Sequence, residues 1–184
     1  MNTIEAIKTR KSVRAYRQEA VEQEKISEIV NAGNMAAKAG KVFFNVVTDS
    51  DTLNEWSAAG RMVMQNSGNE FLMKVSANPN YSPIYNAPVA VIVSAEKSSD
   101  PYARSMAAAN TACAAENMLL AATELGLGSC YLVSATLALN IPELAAKVKL
   151  GSELHPYAVV VFGYTDDTTP HAARSETSDN IVYA

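Results

Sequence analysis

Residues 101–125 read PYARSMAAANTACAAENMLLAATEL. Alanine dominates the middle of this stretch, and Glu116 and Asn117 are among its few polar residues. At about 1.5 Å per residue, a helix of this length spans roughly 37 Å, about the diameter of a small domain. A helix that is apolar on nearly all sides belongs in a core or against another chain. The stretch therefore predicts a central helix whose alanines permit the close approach of a second subunit.

Apolar runs on either side of this helix predict strands. They lie at 42–47, 87–95 and 157–164, with a shorter extended piece at 131–133. The run APVAVIVSA at 87–95 is typical of a central strand buried on both faces. Shorter helices are expected at 3–9, from 22 to about 39, from a capping-box pattern that begins at Thr52, and from 140 to about 149.

Helices and strands are mixed without strict alternation, and no linker divides the chain. The pattern predicts a single domain over residues 1–184 of the α+β class, with a central, mostly antiparallel sheet flanked by helices.

The composition excludes several classes of protein. The 184 residues are 48% hydrophobic and carry a net charge of −4, which is typical of a globular protein and argues against general nucleic-acid binding. The sequence has no apolar run of transmembrane length and no signal-peptide core, so we expect no membrane association and a cytoplasmic location. Cys113 and Cys130 are far apart in the sequence, so no disulfide framework is predicted. Neither histidine has a second metal-ligating residue at the spacing of a known metal motif, so no metal site is predicted.

The basic segment at residues 8–17, KTRKSVRAYR, carries five of the fifteen lysines and arginines and no acid. Like charges this close repel one another, so the segment calls for an anionic partner. Ser12 adds a hydroxyl, and arginine presents a planar fork that suits phosphate oxygens. One interpretation is a phosphate-binding segment. The other is a solvated basic turn where the first helix ends, since cations there complement the helix dipole.

No side-chain pair predicts acid–base or nucleophilic catalysis. The sequence has no G-x-S-x-G motif, no P-loop and no Rossmann glycine fingerprint. The glycines of Gly126–Ser129 are expected to end the central helix, which leaves the backbone amides around Val133 and Ser134 free to face a ligand. Cys130 is expected to be a buried small hydrophobic residue. An enzyme with so few acid–base groups needs a cofactor to carry the reaction.

Four segments resemble one known family in the order in which they occur. They are TRKSVRAY at 9–16, NAPVAVIVS at 86–94, ENMLLAATELGLGSCYL at 116–132 and the tail stretch at 174–182. The sequence resembles the nitroreductase family of flavoproteins along essentially its full length. The resemblance implies an FMN-dependent, nitroreductase-like fold. In this fold two chains form an intertwined homodimer, the C-terminal tail reaches the partner, and both cofactor sites lie at the subunit interface.

The same resemblance implies an oxidoreductase. It would accept hydride from NADH or NADPH and reduce nitroaromatic, quinone or similar electron-poor acceptors by a ping-pong mechanism, with the flavin carrying the chemistry and no catalytic side chain. The cofactor-binding residues that it implies are Arg10, Lys11, Ser12, Arg14, Asn80, Val133, Ser134 and Arg174. The first four would hold the FMN phosphate, ribityl chain and pyrimidine edge, and Arg174 would reach the phosphate from the tail. The amides of Val133 and Ser134 would face the flavin N5 and O4 edge, and Asn80 would lie near the flavin.

Residues 36–44 depart from the family pattern. Ala37, Gly40 and Val42 stand where family members carry the serine, asparagine and glutamine that touch the cofactor. Two alternatives to an enzyme therefore remain open. One is a non-catalytic dimer that binds FMN for storage or sensing. The other is a structural dimer without a ligand, in which the basic segment pairs with acidic residues across the interface.

Overall fold

A computed structural model describes residues 2–167, Thr169 and Val182. Its helices are α1 Thr3–Thr9, α2 Gln23–Asn34, α3 Ser50–Gln65, α4 Glu70–Ser76, α5 Pro101–Glu124 and α6 Pro142–Lys147, with a 3₁₀ helix at Ser134–Asn140. Its strands are β1 Phe43–Val47, β2 Val89–Glu96, β3 Gly128–Leu132 and β4 Leu154–Gly163. The strands form one sheet in the order β1-β2-β4-β3, and every neighbouring pair is antiparallel. This arrangement confirms the predicted α+β class.

The sheet separates two apolar cores. Consecutive residues of β2, such as Val91 and Ile92, enter opposite cores, because successive side chains of a strand point to opposite faces. The core on the Val91 side includes residues from α2 and α5, and Met118 of α5 is fully buried in it. The core on the Ile92 side includes Trp56 of α3 and residues of the 3₁₀ helix. The prediction that β2 is buried on both faces is therefore confirmed.

Several predicted boundaries were wrong, and β4 begins at Leu154 instead of residue 157. Helix α2 ends at Asn34 instead of near residue 39, because the Asn110 side chain bonds both the N–H of Ala39 (3.2 Å) and its carbonyl (2.6 Å) and so holds this backbone outside the helix. Helix α3 begins at Ser50, because Asp49 caps it by accepting from the Thr52 amide at 2.9 Å. Strand β3 covers 128–132 instead of 131–133, and the 3₁₀ helix after it was not predicted.

No helix within the described part of the chain is both long and apolar enough to cross a membrane.

Candidate functional site

The basic segment lies along the outer edge of the sheet, beside β3. The Val13 amide donates to the Ser129 carbonyl at 2.9 Å, and Ser12 forms a parallel bridge with Ser129. Val13 is buried, and a Cβ added at Gly128 would stand 2.9 Å from its Cγ1 atom. The absence of a side chain at Gly128 thus permits the close approach, and a single β-bridge holds the segment against β3.

Besides Arg17, which pairs with Glu19 and Asp166, two cations of this segment pair with acidic residues of the same chain. The Arg10 Nε atom lies 3.4 Å from Oε1 of Glu116 on α5, and the Arg10 side chain is only 12% exposed. The Lys11 Nζ atom lies 3.0 Å from Oδ1 of Asp167 and also donates to the carbonyls of Asp167 (3.0 Å) and Thr169 (2.5 Å). The chain therefore neutralises part of its own basic charge. Pairing with acidic residues is also what the ligand-free alternative predicts for this segment, although that alternative places the acidic residues on the other subunit.

A cavity of about 160 Å³ lies beside these two cations. Its lining includes Arg10, Lys11, Gly128 and Ser129. The Ser129 hydroxyl is buried and has no hydrogen-bond partner among the described residues. A buried polar group without a partner is costly, so it calls for a ligand or a water molecule. Cations together with this hydroxyl suit the oxygens of a small anion such as a phosphate group.

The 3₁₀ helix presents backbone amides after β3. Its first hydrogen bond runs from the Thr136 amide to the Val133 carbonyl at 3.0 Å, so the amides of Ser134 and Ala135 have no partner within the helix. The Val133 side chain is 57% exposed. The fully buried Trp56 fixes this turn, because its indole N–H donates to the Ala135 carbonyl at 2.9 Å.

The loop between α4 and β2 connects the basic segment with this turn. The guanidinium carbon of Arg14 lies 5.9 Å from the centroid of the Tyr85 ring, and the rings of Tyr81 and Tyr85 pack edge to face at 6.1 Å. Burial raises the pKa of Tyr81, and the neighbouring Ser134 side chain opposes this rise. Asn80 precedes Tyr81 and is exposed, and its amide donates to the Asn78 side chain at 2.9 Å.

The structure thus brings most of the sequence-predicted residues to one edge of the sheet. The adjacent residues Arg10, Lys11, Ser12 and Arg14 lie beside β3, and the loop that carries Asn80 links Arg14 with Ser134. Arg174 lies outside the described residues.

Sequence reasoning missed four residues around this site: Trp56, Tyr81, Tyr85 and Ser129. The available signal for the two tyrosines was their position among three prolines at 78–88, which indicated only a loop.

The family model described as Nitroreductase family matches residues 7–164. The chain belongs to the nitroreductase family. A nitroreductase with bound FMN from Bacteroides fragilis superposes with a TM-score of 0.86 and 27% identity, covering 100% of this chain and 99% of the other. A nitroreductase with bound FMN from Desulfitobacterium hafniense, at 22% identity, shares the fold with a TM-score of 0.84 and covers the same shares. These comparisons confirm the nitroreductase-like fold.

A relative from Archaeoglobus fulgidus is 28% identical over 170 residues, which are 89% of this chain and 86% of the relative. It is named "Putative NADH dehydrogenase/NAD(P)H nitroreductase".

The segment at 36–42, which departs from the family pattern in sequence, is partly buried in the core. Ala36 and Val42 are buried, and Val42 is only 8% exposed in the core beside α5. The Val42 side chain therefore packs where the family pattern has a polar residue. The Lys38 ammonium group donates to the Asn34 carbonyl at the end of α2, which engages one of the two lysines nearest the substituted positions.

Cys130 is a buried residue of the core on the Ile92 side, as its sequence context predicted. Burial raises the pKa of its thiol, an effect that Arg14 and Ser12 oppose. A buried, protonated thiol is a poor nucleophile, so we assign this cysteine to the core. The described residues also contain no group of three His, Cys, Asp or Glu side chains placed to hold a metal ion.

The Asp167–Lys11 contact predicts that the attachment of Asp167 and Thr169 to the basic segment is sensitive to acid. Hydrogen bonds from Thr169 and from Lys11 lower the pKa of Asp167 from 3.8 to about 2. Because the pKa is lower in the folded state, the stabilising effect is present above pH 4 and is lost as the pH falls from about 4 to about 2. We expect the wild type to melt at a higher temperature than Asp167→Asn at pH 6, and the difference to disappear near pH 2. An equal difference at both pH values would contradict this assignment.

Proposed function

We propose that this nitroreductase is an FMN-dependent oxidoreductase with one FMN-binding domain over residues 1–184. It takes hydride from NADH or NADPH and reduces nitroaromatic, quinone or similar electron-poor acceptors by a ping-pong mechanism. The observation that carries the proposal is the meeting of distant segments at one edge of the sheet: Arg10 and Lys11 line a cavity with Ser129, and Arg14 lies over Tyr85. The FMN of the Bacteroides fragilis relative and the printed name of the Archaeoglobus fulgidus relative support the cofactor and the electron donor.

The described residues fit an FMN molecule. The cavity with the unpartnered Ser129 hydroxyl lies beside Arg10 and Lys11, where a phosphate would gain charge-assisted hydrogen bonds of about 1.5–3 kcal/mol each. In the proposal Arg10, Lys11 and Ser12 hold the phosphate and ribityl chain, and Arg14 binds the pyrimidine edge. Arg174 and Asn80 are proposed to add further contacts to the phosphate and near the ring.

Bound FMN supplies two-electron redox chemistry between a nicotinamide and an acceptor. The backbone amides of Val133 and Ser134 are proposed to donate to its N5 and O4 edge, which favours electron density there and orients the ring. The Trp56–Ala135 hydrogen bond keeps this turn in place. The protein thus binds and orients, and the proposal assigns no acid–base role to a side chain.

We further propose a homodimer with the cofactor at its interface. Along α5 the residues Ala108, Ala109, Ala112 and Cys113 are exposed on one face, at the spacing of successive helical turns. Ile4 and Ile7 of the neighbouring helix α1 are 62% and 45% exposed. The cavity of about 160 Å³ is small beside the roughly 300–1,000 Å³ of ordinary ligand sites, so one protomer encloses only part of a flavin nucleotide. A second subunit would cover both the apolar faces and the remainder of the cofactor.

Anaerobic reduction of FMN-reconstituted protein tests the function. We expect the purified protein to retain FMN through gel filtration and to lose its visible flavin absorbance when NADH or NADPH is added. The absorbance should return when an electron-poor acceptor such as menadione follows. Protein that holds FMN but leaves it oxidised would support the FMN-binding storage or sensing alternative. Protein that does not bind FMN would contradict both.

A further inference from the structure

The turn that carries Tyr85 is held in a strained conformation. Tyr85 and Asn86 are consecutive left-handed residues, with φ values of +54° and +53°. Glycine adopts this region without steric cost and asparagine tolerates it, whereas tyrosine rarely does. A strained residue persists only where the surrounding structure holds it, and such residues cluster at functional sites.

Hydrogen bonds from the surrounding structure hold the strained turn. The buried Ser82 hydroxyl accepts from the amides of Ile84 (3.3 Å) and Asn86 (3.2 Å). It also bonds the Ser57 hydroxyl on α3 at 2.6 Å. From the other side, the Gln18 side chain donates to the Asn86 carbonyl at 2.9 Å. The turn is therefore fixed both by α3 and by the chain that follows the basic segment.

The result of the strain is the placement of two aromatic rings. Tyr85 lies beneath the Arg14 guanidinium at 5.9 Å, and its ring meets the edge of Tyr81 at 6.1 Å with an interplanar angle of 89°. Arg14 is the residue proposed to bind the pyrimidine edge of the flavin. The loop thus places an aromatic pair behind this residue.

We infer that Tyr85 and Tyr81 are positioning residues of this nitroreductase: Tyr85 orients Arg14, and Tyr81 holds the Tyr85 ring by its edge. The inference rests on the proposed function. A cation held over an aromatic face loses rotamer freedom before the ligand arrives, and such preorganisation raises affinity.

The test for Tyr85 is an FMN titration of apo-protein followed by flavin fluorescence. A cation–π contact of ordinary strength corresponds to an increase in Kd of about 2- to 30-fold for Tyr85→Leu. Tyr85→Phe keeps the ring and should restore the wild-type Kd. In an Arg14→Gln background, Tyr85→Leu should have little further effect, because the orienting contact is already lost.

Tyr164→Leu is the matched control. Tyr164 also lies beneath an arginine, with the Arg17 guanidinium carbon 5.4 Å from its ring centroid, but outside the proposed ring site. We expect this variant to lose thermal stability and to bind FMN with unchanged Kd. A loss of affinity equal to that of Tyr85→Leu would show that general destabilisation is responsible, and would overturn the inference.

The test for Tyr81 is the same FMN titration. Tyr81→Ala removes the ring that meets Tyr85 at its edge and should raise the Kd by about 2- to 12-fold, whereas Tyr81→Phe keeps the ring and should leave the Kd unchanged. An unchanged Kd in Tyr85→Leu would overturn the inference while leaving the proposed function intact, and an unchanged Kd in Tyr81→Ala would exclude Tyr81 from it. Failure of the wild-type protein to bind FMN would instead overturn the proposed function itself.

Discussion

Replacement of Trp56 by alanine is expected to lower the free energy of unfolding by about 3–5 kcal/mol. Trp56 is fully buried in the core on the Ile92 side of the sheet, and its neighbours there include Ile84 and residues of the 3₁₀ helix. Removal of the indole leaves a cavity, and it also leaves the buried Ala135 carbonyl without its N–H donor. Urea unfolding followed by circular dichroism measures the loss.

The Trp56→Phe variant separates these two effects. Phenylalanine fills most of the volume but donates no hydrogen bond, so we expect a smaller loss of about 1–3 kcal/mol. Because the lost bond fixes the turn that begins at Val133, this variant should also bind FMN more weakly than the wild type. Unchanged FMN affinity in a folded Trp56→Phe protein would show that the Trp56 bond does not support the proposed site.

The second large effect is expected at the arginines of the basic segment. Substitutions Arg10→Gln and Arg14→Gln should each raise the Kd for FMN by about 10- to 100-fold, because each removes a charge-assisted hydrogen bond of about 1.5–3 kcal/mol. The loss should fall at high salt for the exposed Arg14, since ions screen exposed charges more than buried ones. Isothermal titration calorimetry at two salt concentrations measures both quantities.

Arg104→Gln is the control for these substitutions. Arg104 is an exposed arginine near the beginning of α5, where it donates to the Ser99 carbonyl at 3.2 Å, away from the basic segment. Its replacement changes the net charge by the same amount and should leave the Kd for FMN unchanged. If all three variants bind FMN with the Kd of the wild type, Arg10 and Arg14 do not hold the cofactor. The charges of the basic segment then have only a structural role.

The cations that face acidic residues explain why both interpretations of the basic segment were reasonable. Arg10 and Lys11 bind Glu116 and Asp167 within the same chain, so part of the charge is balanced without a ligand. The sequence shows the density of positive charge at 8–17 but not these partners, which lie more than 100 residues away. Only the fold shows that Arg14 has an aromatic ring and no acidic partner in the contacts described.

Local sequence patterns predicted the helices and strands whose residues follow the regular period of that element. Helix α5 was predicted over 101–125 and extends over Pro101–Glu124, because Asp100 and Pro101 begin it and Gly126 follows its end, in the left-handed conformation that glycine favours. Strand β2 was predicted within two residues of its observed ends, because a continuous apolar run suits a strand with a core on each face.

By itself, the sequence determined the class of fold, the central helix, the buried strand and the basic segment, because each depends on residues within a few positions of one another. The tertiary structure alone decided where α2 ends, how Trp56 supports the turn at Val133, and that Tyr85 lies beneath Arg14. Each of these depends on a partner at least 70 residues away in the chain. Such contacts form when the chain packs into its native arrangement, and no short-range period in the sequence records them.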